Sequence, residues 1–227
     1  MNRLYETVKR ISESQDQKSE ADRLYTLARQ AAWFEPVTQA LKSMAGPGER
    51  CMFCSGSESS CVEHFQPKAV FPLMAMVWEN YLWSCDICNR SKGERFPPKT
   101  EPGEQLIDPT VEDVWSFFFI DEYGNLTARW RPDLNDVDGR ASITIDFLSL
   151  DRDALQESRQ LRLRDLKEKA KDSLDLVATG KLTKEELRMR IESWKSQPFQ
   201  PDVTDYFLNG PGKAESPFAE LRAEAGL

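Results

Sequence analysis

The sequence predicts an α+β fold, and three observations carry that prediction. Apolar residues recur at helical spacing towards both ends of the chain, as with Leu4, Tyr5, Val8 and Ile11. In the middle, the runs VWSFFFID and LTARW flank the turn residues Glu122-Tyr123-Gly124-Asn125, the pattern of a β-hairpin. Between helices and hairpin stand two Cys-x-x-Cys pairs, Cys51/Cys54 and Cys85/Cys88, spaced to share one metal ion.

The elements follow in order. Residues 1–48 form an N-terminal helical segment. In it Ala21, Leu24, Tyr25, Ala28, Ala31 and Ala32 make a second apolar face. Pro36 opens a short helix through Leu41, and Gly46-Pro47-Gly48 stops it. Residues 49–150 hold the cysteines, the hairpin and a further short strand at Ile143-Thr144-Ile145. Residues 151–227 return to helix: Leu155, Leu166, Ala170, Leu174 and Val177 fit one long element closed by Gly180. Thr183 with Glu186 makes a capping box for the next helix, and Ser216-Pro217 is placed to cap a last one.

Composition bounds the function. Of 227 residues, 40% are hydrophobic and 30% charged, enough for a core and typical of a soluble chain. No apolar run approaches the roughly 20 residues of a membrane helix. The start, MNRLYETVKRISES, lacks the apolar stretch of a signal peptide. The expected location is therefore cytoplasmic, away from membranes, with reduced thiols. There, two paired cysteine motifs point to a metal rather than to disulfides. Four thiolates complete the tetrahedron Zn²⁺ prefers and leave no open position, so the expected zinc is structural. Cys61 is left over and reads as a small buried hydrophobe.

Thirty residues separate Cys54 from Cys85, a long gap for a zinc ribbon, and the loop encloses the one histidine of the chain, His64. His64 follows Glu63 and stands three residues before Pro67. Asn80 lies one loop later, and Asn89 begins the polar run Asn89-Arg90-Ser91-Lys92. This arrangement resembles the HNH endonucleases of the His-Me finger, or ββα-metal, class, in the variety braced by two Cys-x-x-Cys pairs. The surrounding EHFQPK, WENYLWSCDICNRSKGERFP and LIDP resemble the PtuB family of Septu and retron-associated antiphage systems. The motif covers about a fifth of the chain, and the wider resemblance runs from about residue 30 to at least residue 150.

The resemblance implies a small HNH core flanked by helices and the hairpin. It implies a metal-dependent endonuclease cutting DNA, paired with an ABC/SMC-like ATPase of the PtuA type, with a retron component as a further partner. His64 would be the general base, because imidazole titrates near working pH. Glu63 and Asn89 would hold a catalytic Mg²⁺ or Mn²⁺ through hard oxygen ligands. Asn80 would orient the loop or the histidine, and Lys92 would reach a phosphate. Lys68, Arg90, Lys92, Arg95 and Lys99 form a local basic cluster suited to nucleic acid, with Lys68, Arg90 and Arg95 as its main contacts. The net charge of −8 opposes polyanion binding, so a partner is expected to supply much of the grip. Neighbours on a regular strand face opposite sides, so bringing Glu63 and His64 to one ion needs a strand end or a bulge. Two other readings stay open: a standalone restriction or mobile-element nuclease, and a zinc-braced interaction module with a vestigial site.

Overall fold

The computed structural model describes residues 2–46, 48–56, 61–97, 106–194 and 202–227. Lys99 and Pro47 lie outside them.

The N-terminal segment forms α1 (Asn2–Ser12), α2 (Gln17–Gln30) and α3 (Glu35–Met44). Asp16 caps α2 by accepting the Ser19 N–H at 3.1 Å. Ala21, Leu24, Tyr25 and Ala28 then fall on one buried face at the spacing read from sequence. Pro36 lies in the first turn of α3, which runs on past Leu41 to Met44.

Two strands and a helix follow. β1 (Cys61–His64) and β2 (Tyr81–Ser84) pair antiparallel, with Cys61 opposite Ser84 and His64 opposite Tyr81. β2 is buried along its whole length. Its far side receives the Met52 N–H on the Trp83 carbonyl at 2.9 Å, so the first cysteine turn docks as its second neighbour. α4 (Asp86–Lys92) leaves β2 through Cys85, whose sulfur caps it. Gly93 ends α4 at φ +50, a conformation costly for a residue with a Cβ.

The hairpin is real but shorter than expected. Val114-Trp115-Ser116 is a 3₁₀ turn, and pairing is confined to β3 (Phe118–Ile120) and β4 (Leu126–Ala128). The turn between them is closed by Asp121, whose carboxylate accepts the N–H groups of Tyr123 and Asn125, each at 2.9 Å. A second small pair, β5 (Trp130–Arg131) with β6 (Asp136–Val137), follows directly.

The strand expected at Ile143-Thr144-Ile145 is instead the middle of α5 (Gly139–Leu148). Asp138 caps this helix on the Ala141 N–H at 3.0 Å. Thr144 is buried, its hydroxyl donating to the Arg140 carbonyl and accepting the Ile107 N–H. The cap and the buried Ala141, Thr144 and Leu148 thus outweigh the β-branched triplet.

The last segment agrees with its pattern. α6 (Asp153–Ala178) buries Leu155, Leu163, Leu166 and Ala170. α7 (Lys184–Ser193) carries the Thr183–Glu186 capping box with both hydrogen bonds formed. α8 (Val203–Leu208) and α9 (Phe218–Ala225) complete the chain. Ser216 does not cap α9, whose N-cap residue is Pro217 and makes no side-chain hydrogen bond. Buried side chains from all three segments, from Ile11 to Ala225, join one hydrophobic core.

Candidate functional site

The four paired cysteines come together. Cys51, Cys54, Cys85 and Cys88 are all buried, and their sulfurs lie within 4.8 Å of one another. Four sulfurs at about 2.3 Å from one ion would stand about 3.8 Å apart, and Cys54 and Cys85 are separated by 3.9 Å. Backbone N–H groups of Gly56 and Cys88 point at the sulfurs of Cys54 and Cys85, each at 3.4 Å.

The surrounding charge fits a tetrathiolate. Arg152 places Nη2 at 3.5 Å from Cys54 and Nη1 at 3.9 Å from Cys88. Arg159 is 5% exposed, and its Nε and Nη1 have no hydrogen-bond partner. A buried guanidinium needs nearby negative charge: burial lowers the Arg159 pKa to about 10, and the charge of Cys54 and Cys88 works against that fall. Zinc with four thiolates would carry two net negative charges, which Arg152 beside the sulfurs offsets in part. A structural metal therefore fits these residues, and zinc is compatible with the donor set.

His64 lies at the end of β1, 5% exposed. Its Nε2–H donates to the Ala75 carbonyl at 2.9 Å. That carbonyl also takes the Tyr81 hydroxyl at 2.8 Å, so both lone pairs are used. A carbonyl can only accept, so Nε2 carries the proton and Nδ1 holds the lone pair of the neutral ring. Tyr25 stands edge-on to the imidazole at 4.5 Å between ring centroids and Tyr81 at 5.3 Å. Burial lowers the His64 pKa to about 4, and Lys68, Lys92 and Arg29 push the same way against the Ala75 hydrogen bond.

Asn80 holds the loop that supplies Ala75. Its Oδ1 accepts the Gln66 N–H at 2.7 Å, and its Nδ2 donates to the carbonyls of Gln66 and Met74 at 3.0 and 2.9 Å. The amide is thereby bound to both ends of the 66–74 stretch, and it neighbours the histidine's acceptor rather than the ring.

Glu63 and His64 face opposite ways. Pairing is regular through both residues, with Glu63 opposite Leu82. Glu63 turns to α4, where the buried Lys92 ammonium meets Oε1 at 2.5 Å. Two residues back along β1, the Asn89 Nδ2 donates to Cys61 Sγ at 3.2 Å. Burial raises the Glu63 pKa, and the charge of Lys92 offsets part of that rise. Lys92, expected to reach a phosphate, is 0% exposed and engaged with the carboxylate. A divalent ion on Glu63 and Asn89 would have to displace it, so this arrangement by itself does not fit the expected Mg²⁺ or Mn²⁺. Among the described residues, the four cysteines are the one group of three or more His, Cys, Asp or Glu residues close enough to hold an ion.

The basic cluster is largely neutralised in place. Lys68 pairs with Asp22 of α2, Arg90 with Asp86 at 2.9 Å, and Arg95 with Asp146 at 3.6 Å. Arg95 also lies over the Phe147 ring at 4.6 Å.

The cysteine cluster braces a strand pair and a helix around a buried histidine. The chain is similar to Septu protein PtuB of Bacillus thuringiensis. The two are 29% identical over 167 residues, which is 67% of this chain and 59% of the relative. The chain thus spans about three fifths of the length of that PtuB protein. No family model matches, and no solved structure matches.

The structure also adds groups that sequence reasoning missed. Tyr25 was legible as part of an apolar helix face but not as the wall of the histidine. The Ala75 carbonyl is backbone and leaves no residue-type signal. Arg152 and Arg159 sit in a highly charged stretch with nothing to set them apart from its surface arginines.

Proposed function

We propose that the chain is an HNH-type nuclease in Septu-like antiphage defence, hydrolysing DNA phosphodiester bonds with His64 as general base. The observation that carries this reading is the fixed tautomer of His64. Its Nε2–H is held on the Ala75 carbonyl, which leaves Nδ1 as the proton acceptor a nucleophilic water needs. With a pKa near 4 the ring is neutral at physiological pH, the form that can take a proton. Asn80 acts as a positioning residue, because it fixes the loop from which the Ala75 carbonyl projects.

The strand–strand–helix order of β1, β2 and α4 supports the reading as a ββα unit, braced by the cysteine cluster. The likeness to PtuB supports the defence role and, through it, an ABC/SMC-like ATPase partner of the PtuA type, with a retron component as a further partner. A catalytic Mg²⁺ or Mn²⁺ would supply Lewis-acid stabilisation of the phosphate. Glu63 and Asn89 are its proposed ligands, and Lys92 occupies the carboxylate in this structure.

One observation favours a second reading, a zinc-braced interaction module without hydrolysis: Lys92 already neutralises Glu63. Plasmid cleavage separates the two. The zinc-loaded chain, assayed with Mg²⁺ or Mn²⁺ and with or without a PtuA-type ATPase, should cut. Loss of the general base in His64→Ala should lower the rate about 10²- to 10⁴-fold without loss of zinc. Equal cleavage by both proteins would remove the mechanism, and no cleavage by either would favour the module.

A further inference from the structure

Tyr25 of α2 organises the surroundings of His64. Its hydroxyl donates to the Val62 carbonyl at 3.1 Å, which fixes the ring against β1. Within about 6 Å of that one ring lie three groups: the imidazole at 4.5 Å, Lys68 Nζ at 5.8 Å and Arg29 Cζ at 5.9 Å. Arg29 stands one helical turn after Tyr25, so α2 itself delivers it to this face.

The cations here differ in how they are neutralised. Lys68 is taken by Asp22 and Lys92 by Glu63, while Arg90 and Arg95 answer Asp86 and Asp146. Arg29 is exposed, and among the described residues it has neither a carboxylate nor a hydrogen-bond acceptor. A guanidinium over an aromatic face is held by its π contact and keeps its N–H donors for another ligand. Its planar fork matches two oxygens of a phosphate. In a chain of net charge −8, an unneutralised cation on the ring that flanks the histidine is a place where a polyanion meets reduced opposition.

We propose that Arg29 holds a phosphate of the nucleic-acid substrate beside His64, from the wall formed by α2. The proposal rests on the nuclease reading above and adds to it. The N-terminal helices are then part of the substrate site.

The test measures binding and cleavage separately on the full zinc-loaded chain. A short fluorescein-labelled DNA duplex is titrated across a salt series with wild type, Arg29→Met, Arg29→Lys and, as a distant charge control, Arg190→Met. Arg29→Met should weaken binding roughly tenfold and lower the slope of log K against log salt by about 0.9, the share of one phosphate contact. Arg29→Lys should keep the slope but lose affinity, since an ammonium lacks the fork. Arg190→Met should match wild type in both. Cleavage of the same duplex is followed in parallel. Arg29-dependent binding without cleavage removes hydrolysis and leaves the phosphate contact standing. Cleavage with unchanged affinity and slope in Arg29→Met overturns the contact and leaves hydrolysis standing. Absence of wild-type binding at the lowest salt, or equal losses in Arg29→Met and Arg190→Met, also overturns it.

Discussion

The Lys92 ammonium meets Glu63 Oε1 at 2.5 Å where the two side chains are only 0% and 10% exposed. The pair ties α4 to β1 from within. Desolvating two charges costs much of what their attraction returns, but removing one alone strands the other.

Lys92→Met should therefore destabilise the chain by about 3 to 5 kcal/mol. Denaturant unfolding of three variants checks this. Glu63→Gln with Lys92→Met together should recover much of the loss, and additive losses would mean the pair is not the coupling element.

The His64 pKa sets a pH window. The native value of about 4 lies below the unfolded value of about 6.5. Between them the unfolded chain binds the extra proton, so stability is full above about 6.5 and falls as pH drops towards 4. The loss is on the order of 3 kcal/mol. Comparing the pH dependence of unfolding in wild type and His64→Phe isolates it. Identical curves would show that the ring is not buried as described.

Metal content should be about one zinc per chain, and chelation or Cys85→Ser with Cys88→Ser should abolish it. Arg152 is the sharper probe, because it touches two sulfurs without being a ligand. Outer contacts of this kind are worth about 10- to 100-fold in metal affinity. Arg152→Met should lower retention to that extent in a chelator competition, and unchanged retention would place the charge balance elsewhere.

Asn80→Ala removes three hydrogen bonds to the loop. At about 1 kcal/mol each, the cost is roughly 3 kcal/mol. Hydrogen exchange should speed up at the Gln66 amide, and cleavage should fall with it. A variant that exchanged faster but cut normally would separate the loop from the histidine.

Much of this architecture is written in local pattern. The Thr183–Glu186 box, the Gly124 turn and the apolar face of α2 each depend on residues a few positions apart, and each was readable. The strand expected at Ile143 failed because the triplet's β preference is weaker than the Asp138 cap and the burial of Thr144. The candidate site divides the same way. The cysteine spacing and the Glu63-His64 pair stand out in sequence, whereas their contacts do not. Lys68 meets Asp22 across 46 positions, and Tyr25 reaches Val62 across 37. Whether a cation is spent on a carboxylate or left for a substrate is decided at that distance, where spacing says nothing.

The β1–β2 pair has a further property. A two-stranded sheet ordinarily offers two open edges, each a template for another chain. Here one edge is met by Met52 of the cysteine turn, and on the other the Tyr25 hydroxyl occupies the Val62 carbonyl. Both covers come from outside the strands, one held by the metal-type cluster and the other by the N-terminal helices. Trimming the chain to its central motif would thus do more than remove mass: it would bare an adhesive strand and uncover the histidine together, favouring self-association.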